Sequence, residues 1–184
     1  MKALIILENG FEDTEALCTI DVLKRSNFEV VSASLKEKQV ITQCGHNIEV
    51  NKILKDIESP ALEYDMLILP GGKAVMQVLN SSKEIDNLID AFYKEHKLIA
   101  SICAAPILIG KRGYFDSLTY TCFPGCEEYI KKGTKGKDGV IESGNFITAT
   151  SMYYTIPFAL QIVSHFLGTY ACEKAHLALK GYKK

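Results

Sequence analysis

Leu98-Ile99-Ala100-Ser101-Ile102-Cys103-Ala104-Ala105-Pro106-Ile107 is the stretch on which the reading of the fold turns. Its first five residues are an apolar run of strand length, and Ala104, Ala105 and Pro106 then open a helix expected to reach about residue 111. Cys103 stands at the junction, at the carboxyl end of a strand and the amino end of a helix. A sharp strand-to-helix turn crowds the positions two before and two after its central residue. Ser101 and Ala105 are small enough for such a turn, although the hydrolase version of it uses glycine. A helix amino end favours a thiolate by ~0.3–1 kcal/mol, and the thiolate is the nucleophilic form of cysteine. The stretch therefore predicts an activated thiol.

Outward from it, strand and helix signals alternate. Residues 2–7, 29–35, 66–69 and 146–149 are apolar or β-branched runs of strand length, whereas residues 14–26, 74–79, 84–95, 155–167 and 171–179 read as helices, with a break at Gly168. Residues 40–42 and 47–50 suggest a short hairpin around Cys44-Gly45-His46, and residues 119–144 read as short strands and loops. Buried strands interleaved with helices predict an α/β, three-layer sandwich with a mostly parallel central sheet, formed as one domain over residues 1–184. Ligands of such sheets bind beyond the carboxyl ends of the strands. Three segments arrive there together: residues 8–15, Pro70-Gly71-Gly72, and Cys103.

Composition narrows the class of function. The chain has 184 residues, 47% hydrophobic and 23% charged, with a net charge of -1 and no basic stripe, which argues against a nucleic-acid partner. No run approaches the roughly 18 apolar residues of a membrane span. The apolar start ends at Glu8, too early for a secretory leader, so a cytoplasmic location is expected. The six cysteines are scattered and predict no disulfide framework. Cys122 and Cys126 lie four apart without a second pair or a nearby histidine, so no metal is expected. None of the four histidines (His46, His96, His165, His176) falls at a strand end, which leaves Cys103 without a histidine base.

A carboxyl supplies what histidine does not. Glu12 and Asp13 read as solvated acids complementing a helix dipole. Glu15, followed by a compact apolar helix, is expected to turn toward the strand ends, where burial raises a carboxyl's pKa and keeps it protonated. In that form it donates a hydrogen bond to a thiolate or moves a proton. Gly71 and Gly72 allow close approach, and their N–H groups with that of Ala104 are candidates for an oxyanion-binding nest.

With these residues in place, the chain resembles the DJ-1/PfpI superfamily, which is related to class I glutamine amidotransferases, and in particular its small single-domain branch. The resemblance rests on residues 2–7 with Glu12-Asp13-Thr14-Glu15, Asp21-Val22-Leu23-Lys24-Arg25, Leu67-Ile68-Leu69-Pro70-Gly71-Gly72, Ile102-Cys103-Ala104-Ala105-Pro106, and Thr121-Cys122-Phe123-Pro124-Gly125. It implies a flavodoxin-like fold, a homodimer, Cys103 as an oxidisable nucleophile, Glu15 as its protonated partner, and no cofactor. Gly71, Gly72 and Ala104 match backbone positions lining the family's site, and Cys44 matches a secondary cysteine of some members, with hairpin packing as the equal alternative. The chain departs from the family pattern at Ala104, where protease-like members carry histidine. Phe123 replaces a histidine of some relatives, and Thr150-Ser151-Met152-Tyr153-Tyr154 stands where an Arg-Gly-Pro-type loop is common. The resemblance implies a glutathione-independent glyoxalase or a deglycase acting on a small aldehyde or glycated substrate. The alternative it leaves open is a stress sensor or redox-regulated chaperone whose Cys103 is oxidised to sulfinate with little turnover.

Overall fold

The structure is a computed structural model that describes residues 1–182; the last two residues of the span read as one domain lie outside the described residues. The strands in chain order are β1 (Lys2–Ile6), β2 (Glu29–Ser34), β3 (Gln39–Ile41), β4 (Asn47–Glu49), β5 (Lys52–Ile53), β6 (Met66–Leu69), β7 (Leu98–Ile102), β8 (Thr119–Tyr120), β9 (Thr134–Lys135), β10 (Val140–Ser143) and β11 (Phe146–Ala149). The helices are α1 (Asp13–Arg25), α2 (Pro60–Glu63), α3 (Lys73–Gln77), α4 (Lys83–Lys94), α5 (Pro106–Gly110) and α6 (Thr155–Leu179). Seven strands form one sheet in the order β10-β11-β7-β6-β1-β2-β5, parallel except for the β10–β11 pair. This is the α/β arrangement with a mostly parallel sheet that the sequence pattern predicts, in the flavodoxin-like form that the resemblance implies.

The central strands are apolar because both faces of the sheet are covered. Every residue of β6, β7 and β11 is buried, as are the last four of β1. The chain winds from β1 through α1 to β2 in one direction, and from β6 through α4 to β7 in the other. With right-handed crossovers the two helices lie on opposite faces. The order reverses between β1 and β6, and a crevice opens at the carboxyl end of such a switch point.

Several boundaries move from those expected. The helix predicted from Ala104 begins only at Pro106, because Cys103, Ala104 and Ala105 form a turn. β5 and α2 lie in residues 51–65, where no periodic apolar pattern announced them. The terminal helical segment to Leu179 is two helices joined at a kink at Gly168, whose φ of 81° and ψ of 169° are non-helical. That is the break the glycine predicted.

Candidate functional site

Cys103 leaves β7 with φ 64°, a left-handed backbone that non-glycine residues avoid by ~1–2 kcal/mol. Two hydrogen bonds hold it there. Its N–H donates to Ala149 O at the end of β11 (2.9 Å), and its carbonyl accepts from Phe123 N–H (2.8 Å). Ser101 and Ala105 are both fully buried, consistent with the crowding expected on either side of the turn. The side chain is thereby aimed out of the strand direction, half-buried at the sheet's carboxyl edge.

Glu15 approaches from α1. Glu12 caps that helix, its Oε2 accepting from Glu15 N–H at 2.7 Å, so Glu12 is structural rather than merely solvated. Glu15 itself is 1% exposed, and its Oε2 accepts from Gly71 N–H at 2.7 Å. Its Oε1 has no hydrogen-bond partner among the described residues. Burial is the main reason its pKa rises from 4.5 to about 7; the Gly71 amide and the Cys103 thiol pull downward without offsetting it, and Glu12 adds a smaller upward push.

Gly71 shows how closely the two side chains converge. A Cβ on it would lie 2.6 Å from Glu15 Oε2 and 2.7 Å from Cys103 Cβ, so the carboxyl and the cysteine press against the same missing side chain. Gly72 has φ 94°, and a Cβ there would meet Glu12 N and Gly10 O, each at 2.5 Å. The loop after β6 is zipped to the loop after β1 through Glu12 N–H to Gly71 O (3.1 Å) and Ala74 N–H to Gly10 O (3.1 Å).

The predicted nest is therefore narrower than expected. The Gly71 N–H already serves the Glu15 carboxyl. The Gly72 and Ala104 N–H groups have no oxygen acceptor among the described residues, and the Ala104 N–H acts on the Cys103 sulfur, drawing its pKa down. The net shift of the thiol nevertheless runs opposite to the expectation of a thiolate favoured by a helix amino end. Burial, then the charge of Glu15 beside it, pushes the Cys103 thiol up. α5 is only five residues long and starts three residues beyond Cys103, so its dipole is too small to compete. The two groups lie close enough to titrate as a coupled pair, Glu15 holding the thiol up.

The remaining candidates fall around this pair. The β3–β4 hairpin sits over the loop that leads into α1 through Gly10 N–H to Ile41 O (2.7 Å) and Gln43 N–H to Phe11 O (2.8 Å). Cys44 at its tip is exposed rather than packed; its N–H donates to Asp13 Oδ2 at 3.1 Å, and Asp13 holds its thiol above the usual range. All four histidines are exposed, and His165 pairs with Glu142 (2.7 Å) on α6 and β10. The departing loop follows β11. Thr150 is buried, its hydroxyl hydrogen-bonded to that of Thr121 (2.8 Å), while Met152 and Tyr153 are exposed. Sequence reasoning missed Ala149 and Phe123 as the backbone clamps of Cys103, since no side-chain signal marks them.

The DJ-1/PfpI family model matches residues 1–165. The zebrafish (Danio rerio) Parkinson disease protein 7 homolog is 31% identical over 186 residues, covering 97% of both chains. A deglycase of Pyrococcus horikoshii is 28% identical over 151 residues, covering 81% of this chain and 89% of its own. Among solved structures, Drosophila melanogaster DJ-1beta superposes with a TM-score of 0.88 at 26% identity, over 97% of this chain and 96% of its own. A mutant of a DJ-1 superfamily protein from Salmonella typhimurium gives a TM-score of 0.89 at 24% identity, over 100% and 99%. Among the described residues no helix is long and apolar enough to cross a membrane.

Proposed function

The chain belongs to the DJ-1/PfpI family, and on that premise we propose that it is a cofactor-free enzyme that acts on small reactive carbonyls through Cys103 and Glu15. The carrying observation is the buried Glu15 carboxyl, fixed on the Gly71 amide with its other oxygen unpartnered, beside a cysteine held in a strained turn. The deglycase name borne by the Pyrococcus relative supports a carbonyl or glycated substrate.

For methylglyoxal the steps balance as follows. The Cys103 sulfur attacks the aldehyde carbon while its proton passes to Glu15, giving a hemithioacetal; the former carbonyl oxygen is received by the Gly72 and Ala104 N–H groups. Glu15, ionised again once that oxygen has been protonated, removes the hydrogen from the same carbon and returns a proton to its neighbour, which leaves a lactoyl thioester. Water hydrolyses the thioester, releasing lactate and restoring the thiol. A coupled pair suits this sequence, because Glu15 must be ionised at the outset and protonated in the next step. Catalysis takes place at the mouth formed by the loops after β1, β6 and β7, with the Met152-Tyr153-Tyr154 segment and the β3–β4 hairpin shaping substrate access. The homodimer implied by the resemblance belongs to the same proposal.

Purified protein should consume methylglyoxal and form lactate without glutathione, and Cys103→Ser and Glu15→Ala should each abolish the reaction. Undiminished turnover in Cys103→Ser would refute the mechanism.

A further inference from the structure

A second thiol stands on a turn that is hydrogen-bonded to the Cys103 backbone. Phe123 N–H is bonded to the Cys103 carbonyl (2.8 Å), and Cys126 N–H is bonded back to Phe123 O (3.0 Å), so Phe123-Pro124-Gly125-Cys126 is a closed turn clipped directly to Cys103. Cys103 and Cys126 are both half-buried, and both pack against the same apolar core. Cys126 also contributes to the upward push on the Cys103 thiol, as expected of a sulfur close by.

We propose that Cys126 is the resolving thiol of Cys103: peroxide oxidises Cys103 to the sulfenic acid, and Cys126 captures it as a Cys103–Cys126 disulfide. The inference rests on the reading of Cys103 as the reactive thiol. In the first step the Cys103 sulfur attacks the O–O bond of a hydroperoxide; one oxygen stays on sulfur, and the other leaves as water (or alcohol) with the displaced proton. In the second the Cys126 sulfur attacks the Cys103 sulfur; the S–O bond breaks, an S–S bond forms, and the hydroxyl leaves as water with the Cys126 proton. A dithiol reductant reverses the result by exchange.

The structure favours Cys126 over the other cysteines. A disulfide needs Cα atoms roughly 4.4–6.8 Å apart, so the partner must stand on a segment that can close up. Cys126 begins a single 3-10 turn, Cys126–Tyr129, that contains no fully buried residue. Gly125 before it has φ 89°, with open space where a Cβ would stand. Cys122, by contrast, is fully buried in the core, its thiol 3.9 Å from Glu127 Oε2. Capture as a disulfide protects Cys103 from the sulfinic state, which ordinary thiols do not reduce.

The test treats the reduced full chain with equimolar hydrogen peroxide, blocks remaining thiols, and maps peptides by mass spectrometry without reduction. The wild type should yield a linked Cys103–Cys126 peptide, lose methylglyoxal turnover, and regain it with dithiothreitol. Cys126→Ser should turn over methylglyoxal normally when reduced but accumulate Cys103 sulfinate roughly tenfold faster, with turnover no longer recoverable. Equal sulfinate formation in wild type and Cys126→Ser, or a Cys122–Cys126 link instead, would overturn the inference while leaving the enzymatic reading intact. A cysteine other than Cys103 oxidising first would overturn the inference and leave the enzymatic reading to the aldehyde assay. A Cys103–Cys126 link in a chain that never consumes the aldehyde would support the resolving thiol and refute the enzyme.

Discussion

Replacing Glu15 by Gln should make the protein less sensitive to alkali. In the folded chain burial raises the Glu15 pKa from 4.5 to about 7. Because the folded value is the higher one, the stabilisation from this group is fully present below about pH 4.5 and is lost as pH rises to about 7. At about 1.4 kcal/mol per unit, the ionised carboxyl costs the folded state about 3 kcal/mol by the time the pH passes 7. Gln keeps an oxygen for the Gly71 N–H and cannot ionise. Its amide nitrogen would occupy the place of the unpartnered Oε1, a constant penalty of roughly 1–3 kcal/mol. The variant should therefore be no more stable than wild type at about pH 4, and should gain about 3 kcal/mol relative to it by about pH 8. Urea unfolding of both proteins across that range, fitted with a common slope, reads the difference directly. Every other titrating group except the coupled Cys103 thiol is shared and cancels, and making the comparison in a Cys103→Ala background removes that one. Parallel stability curves would show that Glu15 is not a buried acid with a raised pKa, and the coupled pair would fall with it.

Two further outcomes follow from the same geometry. In kcat/KM for methylglyoxal, a rising limb should appear near pH 7 as Glu15 ionises, with no fall near the ordinary thiol value of about 8.5, because burial and Glu15 push Cys103 higher; a falling limb at that ordinary value, measured over about pH 5 to pH 9, would contradict it. Cys103→Gly should be about 1 kcal/mol more stable than Cys103→Ala in thermal or urea unfolding, since φ 64° strains alanine but not glycine; equal stabilities would mean the turn relaxes.

The parts of this molecule legible in the sequence are those whose signal is burial on both sides. β1, β6, β7 and β11 are continuous apolar runs because helices cover both faces of the sheet, and their alternation with helical stretches fixes which loops meet at the carboxyl edge. The same logic brought Glu15, Gly71 and Cys103 together. α5 defeated it: Pro106-Ile107-Leu108-Ile109-Gly110 is buried throughout, so no amphipathic period marks where strand, turn and helix divide. In the sequence Cys126 stands out only as a possible zinc ligand with Cys122, because a spacing of four cannot show which backbone the intervening turn is clipped to. The direction of the thiol shift was illegible for a different reason. It is a contest between a local effect visible in the sequence, the helix dipole, and two tertiary ones, burial and the charge of a carboxyl 88 positions away in the chain.

That contest also explains why the pair is arranged as it is. A carboxyl pushed up by burial and a thiol pushed up by that carboxyl cannot both be charged, and neither is stable as the sole charge without help. The Gly71 N–H steadies the negative charge when it rests on Glu15, and the Ala104 N–H steadies it when it rests on Cys103. In the proposed mechanism the proton moves between two positions that each have one amide donor, brought together by the absence of a side chain at Gly71. A histidine base would remain charged after taking the thiol proton and would stabilise the thiolate permanently. A carboxyl becomes neutral when it takes that proton, so the proposed mechanism leaves the thiolate in a poorly solvated site, where an electrophile, aldehyde or peroxide, relieves its charge.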